Sequence, residues 1–367
     1  MFLIAFSFAI AIAYVWWASN VFRGWNEYTK RKSKQPIEIL GISIVIPFRN
    51  EAKNLYDLLE SIATLDYPKE RLEVILVNDN SDDNGVEIIN EWNANSSFQV
   101  KLVQAKFAGK KAAQYNGVKA AQFNIVACTD ADCVIPKKWL INIASSFQNP
   151  KLKLVFGPVG FIGVGHKFQR LEFLSLIGST MAMLQNSLPV MGNAANMAFR
   201  KESFFVAFPN LELRKTTSGD DVFLLHEVAK ERAAIGVLAG RDSVVKTKPQ
   251  ENLRALFSQR LRWASKASLY RNKVAISVAL LVFFVNVLAM LLAIGSFFFA
   301  NALYGFLMLM LVKITADFVL IKRFSSFYNE KMSLVNFLLL ELINLIYIPV
   351  IAIASQLLGF TWKGRKS

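Results

Sequence analysis

An α/β domain built on an open, mostly parallel sheet, set between membrane-spanning helices at both ends of the chain, is the fold class this sequence predicts. Three observations predict it. Hydrophobic residues make up 54% of the 367 residues, above the globular norm, and the excess is concentrated at the two ends. Between the ends, short β-branched runs alternate with helical-period segments, the pattern of parallel strands joined by crossover helices. Acidic and amide residues gather directly after those runs, at the carboxyl ends of strands, where ligands bind in sheets of this kind.

Residues 2–22 carry no charge and are long enough to cross a bilayer. Arg23, Lys30, Arg31, Lys32 and Lys34 follow the apolar run, whereas a secretory signal puts positive charge before it. The expectation is a transmembrane helix over 1–22 with its N-terminus outside, then a basic linker over 23–39 on the cytoplasmic side; a cleaved signal is the alternative. The polar part, 40–273, begins with Ile42-Ser43-Ile44-Val45-Ile46-Pro47, followed by Leu55, Leu58, Leu59 and Ile62 at helical spacing. Leu72–Val77 is a second strand, ending in Asn78-Asp79-Asn80-Ser81-Asp82-Asp83. Val100–Val103 is a third, before a helix that starts at Gly109-Lys110-Lys111. Cations at a helix start oppose its dipole, which suggests an anionic ligand there. Ile125–Ala127 is a fourth strand, ending at Thr129-Asp130-Ala131-Asp132.

Apolar segments resume at 274–300, 303–321 and 334–360, giving a C-terminal membrane region of two or three helices over 274–362 and a basic tail over 363–367. Lys313 and Asp317, four apart, share a helix face and can pair inside a bundle. Four crossings from an outside N-terminus would leave Lys363, Arg365 and Lys366 outside, against the positive-inside tendency. Either the last segment is re-entrant or interfacial, broken at Pro349, or the tendency fails there.

Composition excludes several function classes. The net charge is +15, but no basic stripe interleaved with stacking aromatics is visible and many cations flank apolar segments, so membrane lipid rather than nucleic acid is the expected partner. Cys128 and Cys133 are too few for a disulfide framework or a thiolate metal site. The glycine-rich dinucleotide and phosphate-loop signatures are absent. Of the two histidines, His226 falls off the face of Asp221 and His166 lies apart, so no histidine-based catalytic constellation is expected. Asp130-x-Asp132 fits a hard divalent cation, which takes one or two carboxylates plus substrate phosphates, though for this motif alone a solvated turn or helix start is the stronger reading.

Taken in order, Pro47-Phe48-Arg49-Asn50-Glu51, Asn78-Asp79, Lys111 to Asn116, Asp130-Ala131-Asp132, Gly192 to Arg200, Ser218-Gly219-Asp220-Asp221 and Gln259-Arg260-Leu261-Arg262-Trp263 resemble the motifs of the family 2 glycosyltransferases. The resemblance spans about residues 40–270 and implies a GT-A, Rossmann-like domain acting on a nucleotide-sugar donor, a UDP- or GDP-sugar. It implies that Asp79 accepts hydrogen bonds from the base, with Pro47 and Glu51 closing the nucleoside pocket. It assigns Asp132 to Mg²⁺ or Mn²⁺, with Asp130 at the metal or ribose. Lys110 or Lys111 would approach the diphosphate or nucleoside, Lys111 matching the motif better. The common pattern has two aspartates where this chain has Asn78-Asp79, which weakens any role for position 78.

The resemblance also carries the general base to Asp221, supported by Asp220 or the reverse, since transfer to a hydroxyl needs a base. Both residues would otherwise serve as a helix N-cap pair. Gln259 and Arg262 share a helix face just before the membrane, where Arg262 can pair with the diphosphate and Trp263 can stack on an acceptor sugar. The expected enzyme is an inverting glycosyltransferase of a bacterial inner membrane, its catalytic domain cytoplasmic, acting on a lipid-linked or growing glycan acceptor. A processive polysaccharide synthase and an inactive glycan-binding or partner module are the alternatives.

Overall fold

The structure is a computed structural model that describes residues 2–33, 35–96, 100–209, 219–231, 234–358, 361–362 and 365–366. A first helix, α1 (Phe2–Lys30), leads to β1 (Ile42–Phe48), α2 (Ala52–Ala63), β2 (Leu72–Asn78), α3 (Gly85–Asn95), β3 (Val100–Gln104), α4 (Lys110–Ala120) and β4 (Ile125–Cys128). These runs are strands because β-branched and aliphatic side chains suit a pleat covered on both faces, and every residue of β2 is buried. After them come β5 (Cys133–Val134), α5 (Trp139–Phe147), β6 (Leu152–Phe156), β7 (Val159–Phe161), α6 (Lys167–Gln185), β8 (Met197–Arg200), α7 (Lys201–Ala207), α8 (Asp220–Lys230), β9 (Ala234–Val237), β10 (Val245–Thr247) and α9 (Leu253–Ala264).

The main sheet has seven strands in the order β3-β2-β1-β4-β8-β6-β9. Only β8 runs against its neighbours, pairing antiparallel with β4 and β6. Its reversal has a consequence for the site. Met197, the first residue of β8, pairs with Cys128 at the end of β4 and Phe156 at the end of β6, so the segment entering β8 arrives at the edge where the parallel strands discharge their loops. A smaller sheet, β5-β10-β7, sits beside that edge.

One buried amide joins these parts. Asn196 is wholly buried; its Nδ2 donates to the carbonyls of Pro158 and Ser243, each at 2.8 Å, and its Oδ1 accepts from Trp139 Nε1 at 2.8 Å. Its carbonyl accepts from Gly157 N–H at 2.8 Å. A Cβ on residue 157 would stand 2.2 Å from the Asn196 side chain, so only glycine allows that approach.

Three further helices, α10 (Lys273–Gly295), α11 (Ala300–Phe327) and α12 (Leu334–Leu357), complete the fold, and with α1 they make four helices long and apolar enough to cross a membrane. One expectation is corrected here, and one of two open alternatives is removed. Residues 23–30 are not linker: α1 continues to Lys30 because Trp25 packs edge-on against Phe324 and Phe327 of α11, at 4.6 and 5.3 Å between ring centroids. Nor does Pro349 break the last segment, since α12 passes through it without interruption. Of the basic tail, residues 363, 364 and 367 lie outside the described residues. Lys313 does pair with Asp317 at 2.9 Å, and it also binds Glu341 of α12, while Tyr14 of α1 donates to Asp317 at 2.6 Å. The network ties three helices together at buried positions, and each carboxylate has a donor.

Two outcomes follow from this packing. Asn196→Ala leaves the Trp139 indole N–H and two carbonyls unpaired, and is expected to cost about 3 kcal/mol, seen as a lowered Tm of the detergent-purified chain. Lys313→Met strands Asp317 and Glu341 as uncompensated buried charges, a loss of about 3–5 kcal/mol; the triple change Lys313→Met, Asp317→Leu and Glu341→Met, which removes every charge of the network, should recover most of the Tm.

Candidate active site

The loops after β1, β2 and β4 and the start of α4 meet at one sheet edge. Asp79, buried at the tip of β2, accepts from Gly109 N–H at 2.8 Å, which sets the start of α4 against the end of β2. Arg49 of the β1 loop donates to the carbonyls of Asp79 and Asn80 at 3.0 and 2.9 Å. Pro47 lies in register with Val77 near the end of the paired strands. Glu51 is the residue before α2 and accepts from Asn54 Nδ2. Asp83 is a cap, accepting from Ala52 N–H at 2.8 Å and Gly85 N–H at 3.2 Å, whereas Asp82 is exposed near Arg49. Asn78, despite replacing an acidic residue of the motif, is engaged by Gln104 and by Ser81 N–H.

The two lysines at the head of α4 diverge. Lys110 pairs with Asp130 at 2.5 Å. Lys111, the better motif match, is buried with its ammonium 5.4 Å from the Phe208 ring centroid. Consecutive helical residues point about 100° apart, and it is Lys110 that faces Asp130.

Asp132 sits behind Asp130. Thr247 of β10 donates to it at 3.2 Å and the Cys133 thiol at 3.7 Å. Burial, and then repulsion from Asp130 and Glu51, pushes its carboxyl up to about 6. Three carboxylates crowded around one lysine lack positive charge. Among the described residues no cluster of three side chains has the geometry of a complete metal site, but an ion that completes its shell with ligand phosphates and water needs only one or two carboxylates. Asp130 and Asp132 therefore fit a divalent cation bound together with an anionic ligand.

Across the edge, α8 begins at Asp220, whose side chain lies outside the described residues, as does Ser218 before it. Gly219 precedes the helix at φ 100°, left-handed backbone that glycine tolerates. Asp221 is half-buried and accepts from Ala194 N–H at 3.2 Å and Val222 N–H at 2.8 Å. Ala194 and its neighbours connect the two sides, because the Thr129 hydroxyl donates to the Ala195 carbonyl at 2.9 Å. One short segment thus touches the residue before Asp130 and also the carboxylate of Asp221.

Helix α9 approaches from the end of the chain that leads into the apolar helix α10. Its Asn252 cap accepts from Ala255 N–H at 2.9 Å. Gln259, Arg262 and Trp263 are half-buried on it, and Trp263 packs toward Phe173, which stacks on Phe161 of β7 at 4.4 Å. Arg262 and Lys266, four apart, share a face, and Lys266 lies against Gly219 at the head of α8. Arg260, which sequence reasoning passed over, is the buried member of this motif: its fork grips Glu172 of α6, with Nε at 2.7 Å from Oε1, it donates to Gln259, and its guanidinium lies 4.3 Å from the Trp263 ring. Tyr270 was missed as well; its phenol is raised by burial and by the charge of Asp221. His226 faces Tyr270 edge-on at 5.2 Å and burial lowers its pKa.

The family model described as Glycosyl transferase family 2 matches residues 43–206, and that described as Glycosyl transferase family group 2 matches residues 125–354. A poly-beta-1,6-N-acetyl-D-glucosamine synthase of Staphylococcus epidermidis is 27% identical over 239 residues, 62% of this chain and 54% of that protein, so the chain spans about half the length of the curated relatives it matches. The glycosyltransferase AglE of Haloferax volcanii is 30% identical over 120 residues, 33% of this chain and 40% of that protein. Among solved structures, the mannosyltransferase PcManGT from Pyrobaculum calidifontis, in complex with GDP-Man and Mn²⁺, superposes with a TM-score of 0.60 at 19% identity, covering 94% of this chain and 99% of that one.

The acid strength of Asp132 generates a pH test. A carboxyl whose folded pKa is raised favours its protonated form, so the metal-free fold loses stability from this group as pH rises through the range from about 4 to 6. A cation that binds the ionised form restores it. Added Mn²⁺ should therefore raise the Tm clearly at pH 7.5 and little at pH 5, and Asp132→Ala should remove the difference.

Proposed function

Since the chain belongs to glycosyl transferase family 2, we propose that its sheet edge holds a nucleoside-diphosphate sugar and that Asp221 activates an acceptor hydroxyl for inverting transfer. The observation that carries this reading is the bridge from Thr129 through Ala195 and Ala194 to Asp221, which opposes the proposed base to the Asp130–Asp132 pair across one short segment.

The roles divide by charge. Asp79 and the Pro47–Glu51 loop line the nucleoside end. Asp130 and Asp132 would hold Mg²⁺ or Mn²⁺ with the diphosphate, and the ion would neutralise charge on the leaving group; the Mn²⁺ bound alongside GDP-Man in the mannosyltransferase neighbour supports a divalent ion here. Lys110, already paired to Asp130, can follow the diphosphate when it arrives, so it takes the role that the motif gave to Lys111. Arg262, on the face that ends at Lys266, contributes a second cation toward the same charge. Asp221, held from two backbone N–H groups, presents its carboxylate in a fixed direction, takes the acceptor proton, and leaves the oxygen to displace the diphosphate. Asp220 supports it from the helix start.

The acceptor reading rests on place. Arg260 clamps α9 to α6 through Glu172, and α9 runs into the first of the three C-terminal helices, so the Gln259–Trp263 face lies where an acceptor held in a bilayer would enter. We assign the domain to the cytoplasmic side of a bacterial inner membrane, where nucleotide sugars are made and Lys30, Arg31 and Lys32 meet anionic lipid. Extension of a growing glycan is a second reading, favoured by the polymer named for the Staphylococcus relative. Product length separates the two: a ladder of products from one acceptor supports extension, and a single addition supports one transfer per acceptor.

Donor turnover is the direct test. With a UDP- and GDP-sugar panel, Mn²⁺ and a lipid extract, the purified chain should release nucleoside diphosphate from one donor. Asp221→Asn should lower kcat by about 10²–10⁴-fold while donor binding persists. Unchanged turnover in that variant would rule out the assigned base.

A further inference from the structure

On the face of β10 opposite the active site lies a second feature. Thr247 donates to Asp132, and successive strand residues point to opposite faces, so Lys246 points away from the donor edge. It lines a cavity of ≈ 280 Å³ closed by the start of α6 and by the turn that joins α11 to α12, near the lower end of the range of about 300–1,000 Å³ common for ligand sites. Arg170, Arg241 and Lys246 are its cations and Glu330 its only carboxylate.

The charges do not balance. Arg170 is buried at the floor, held by Glu330 at 2.6 Å and by the carbonyls of Ile162 and Gly165 at 2.7 and 2.8 Å. That pair is satisfied and rigid. Arg241 donates to the Ser326 carbonyl at 2.9 Å, and neither it nor Lys246 has a carboxylate partner among the described residues. Two exposed cations above a fixed third, in a concave site with low-dielectric walls of Phe161, Phe173 and Phe327, focus a positive potential. Three cations against the one carboxylate of Glu330 suit an anion whose oxygens take several charge-assisted hydrogen bonds at once, as phosphate does.

We propose that this cavity binds a phosphate-bearing anion on cations other than those of the donor edge. The phosphate has two sources, an anionic phospholipid headgroup or a soluble phosphate compound. The site does not depend on the transfer chemistry proposed above.

The test uses the full chain in phosphatidylcholine nanodiscs without divalent metal. In one arm, radiolabelled pyrophosphate is titrated by equilibrium dialysis; in the other, phosphatidylglycerol is added and lipid retention is followed by native mass spectrometry. Binding is expected in at least one arm, and the arm that shows it identifies the source. Arg241→Ala with Lys246→Ala, both surface changes, should weaken that binding at least tenfold. Glu330→Gln should tighten it severalfold, a gain that misfolding would not mimic, and Asp132→Asn should leave it unchanged. Equal binding by the wild type and the Arg241–Lys246 variant in both arms, or loss of binding in Asp132→Asn, would overturn the proposal.

Discussion

The structure depends on a single buried amide. Asn196 has both a carbonyl and an NH₂ to satisfy in a place with no water, and it does so with Trp139, Pro158 and Ser243 while its backbone carbonyl takes Gly157 N–H. An unpaired polar group there would cost more than its hydrogen bonds contribute, so the network holds as a whole. Because the residue stands at the entrance of β8, it fixes where the only antiparallel strand of the main sheet begins. That start in turn sets Ala194 against Asp221 and Ala195 against Thr129.

Electrostatics divides the molecule into regions of opposite need. At the donor edge, Glu51, Asp130 and Asp132 crowd together around Lys110, and burial makes the charge of Asp132 more costly. Behind β10 the imbalance is reversed, with Arg241 and Lys246 facing a cavity that holds one carboxylate. Among the apolar helices, Lys313 is answered by Asp317 and Glu341, as burial in a bilayer requires. The overall charge of +15 conceals these local balances, which only the arrangement of chain segments creates.

Much of this was legible in the residues. The first four strands, their crossover helices, the acidic strand ends and the apolar helices all follow from local periodicity, which needs no knowledge of distant chain. The Lys313–Asp317 pair was legible for the same reason, since four residues on a helix are always neighbours. What escaped were contacts across long stretches. Thr247 reaches Asp132 over 115 positions and Arg260 reaches Glu172 over 88, and neither has a local signature. The extent of α1 was missed because the composition of 23–30 is that of a surface segment, and only Trp25 against Phe324 reveals that it is covered. Lys111 looked the better ligand by spacing, yet helix rotation turned Lys110 toward Asp130.

By itself the sequence determined the fold class, the family resemblance and the kinds of atom available to the chemistry: carboxylates at strand ends, cations at the head of α4, a Gln-x-x-Arg-Trp helix beside the membrane. Periodicity and ordered motifs are properties of neighbouring residues, and the chain displays them directly. Only the tertiary structure decided which carboxylate is buried behind another, which lysine faces it, and which segment joins the proposed base to the proposed metal side. Those are matters of distance between remote positions, set by strand order, by the reversed direction of β8 and by the hydrogen-bonding demands of Asn196 in a dry interior.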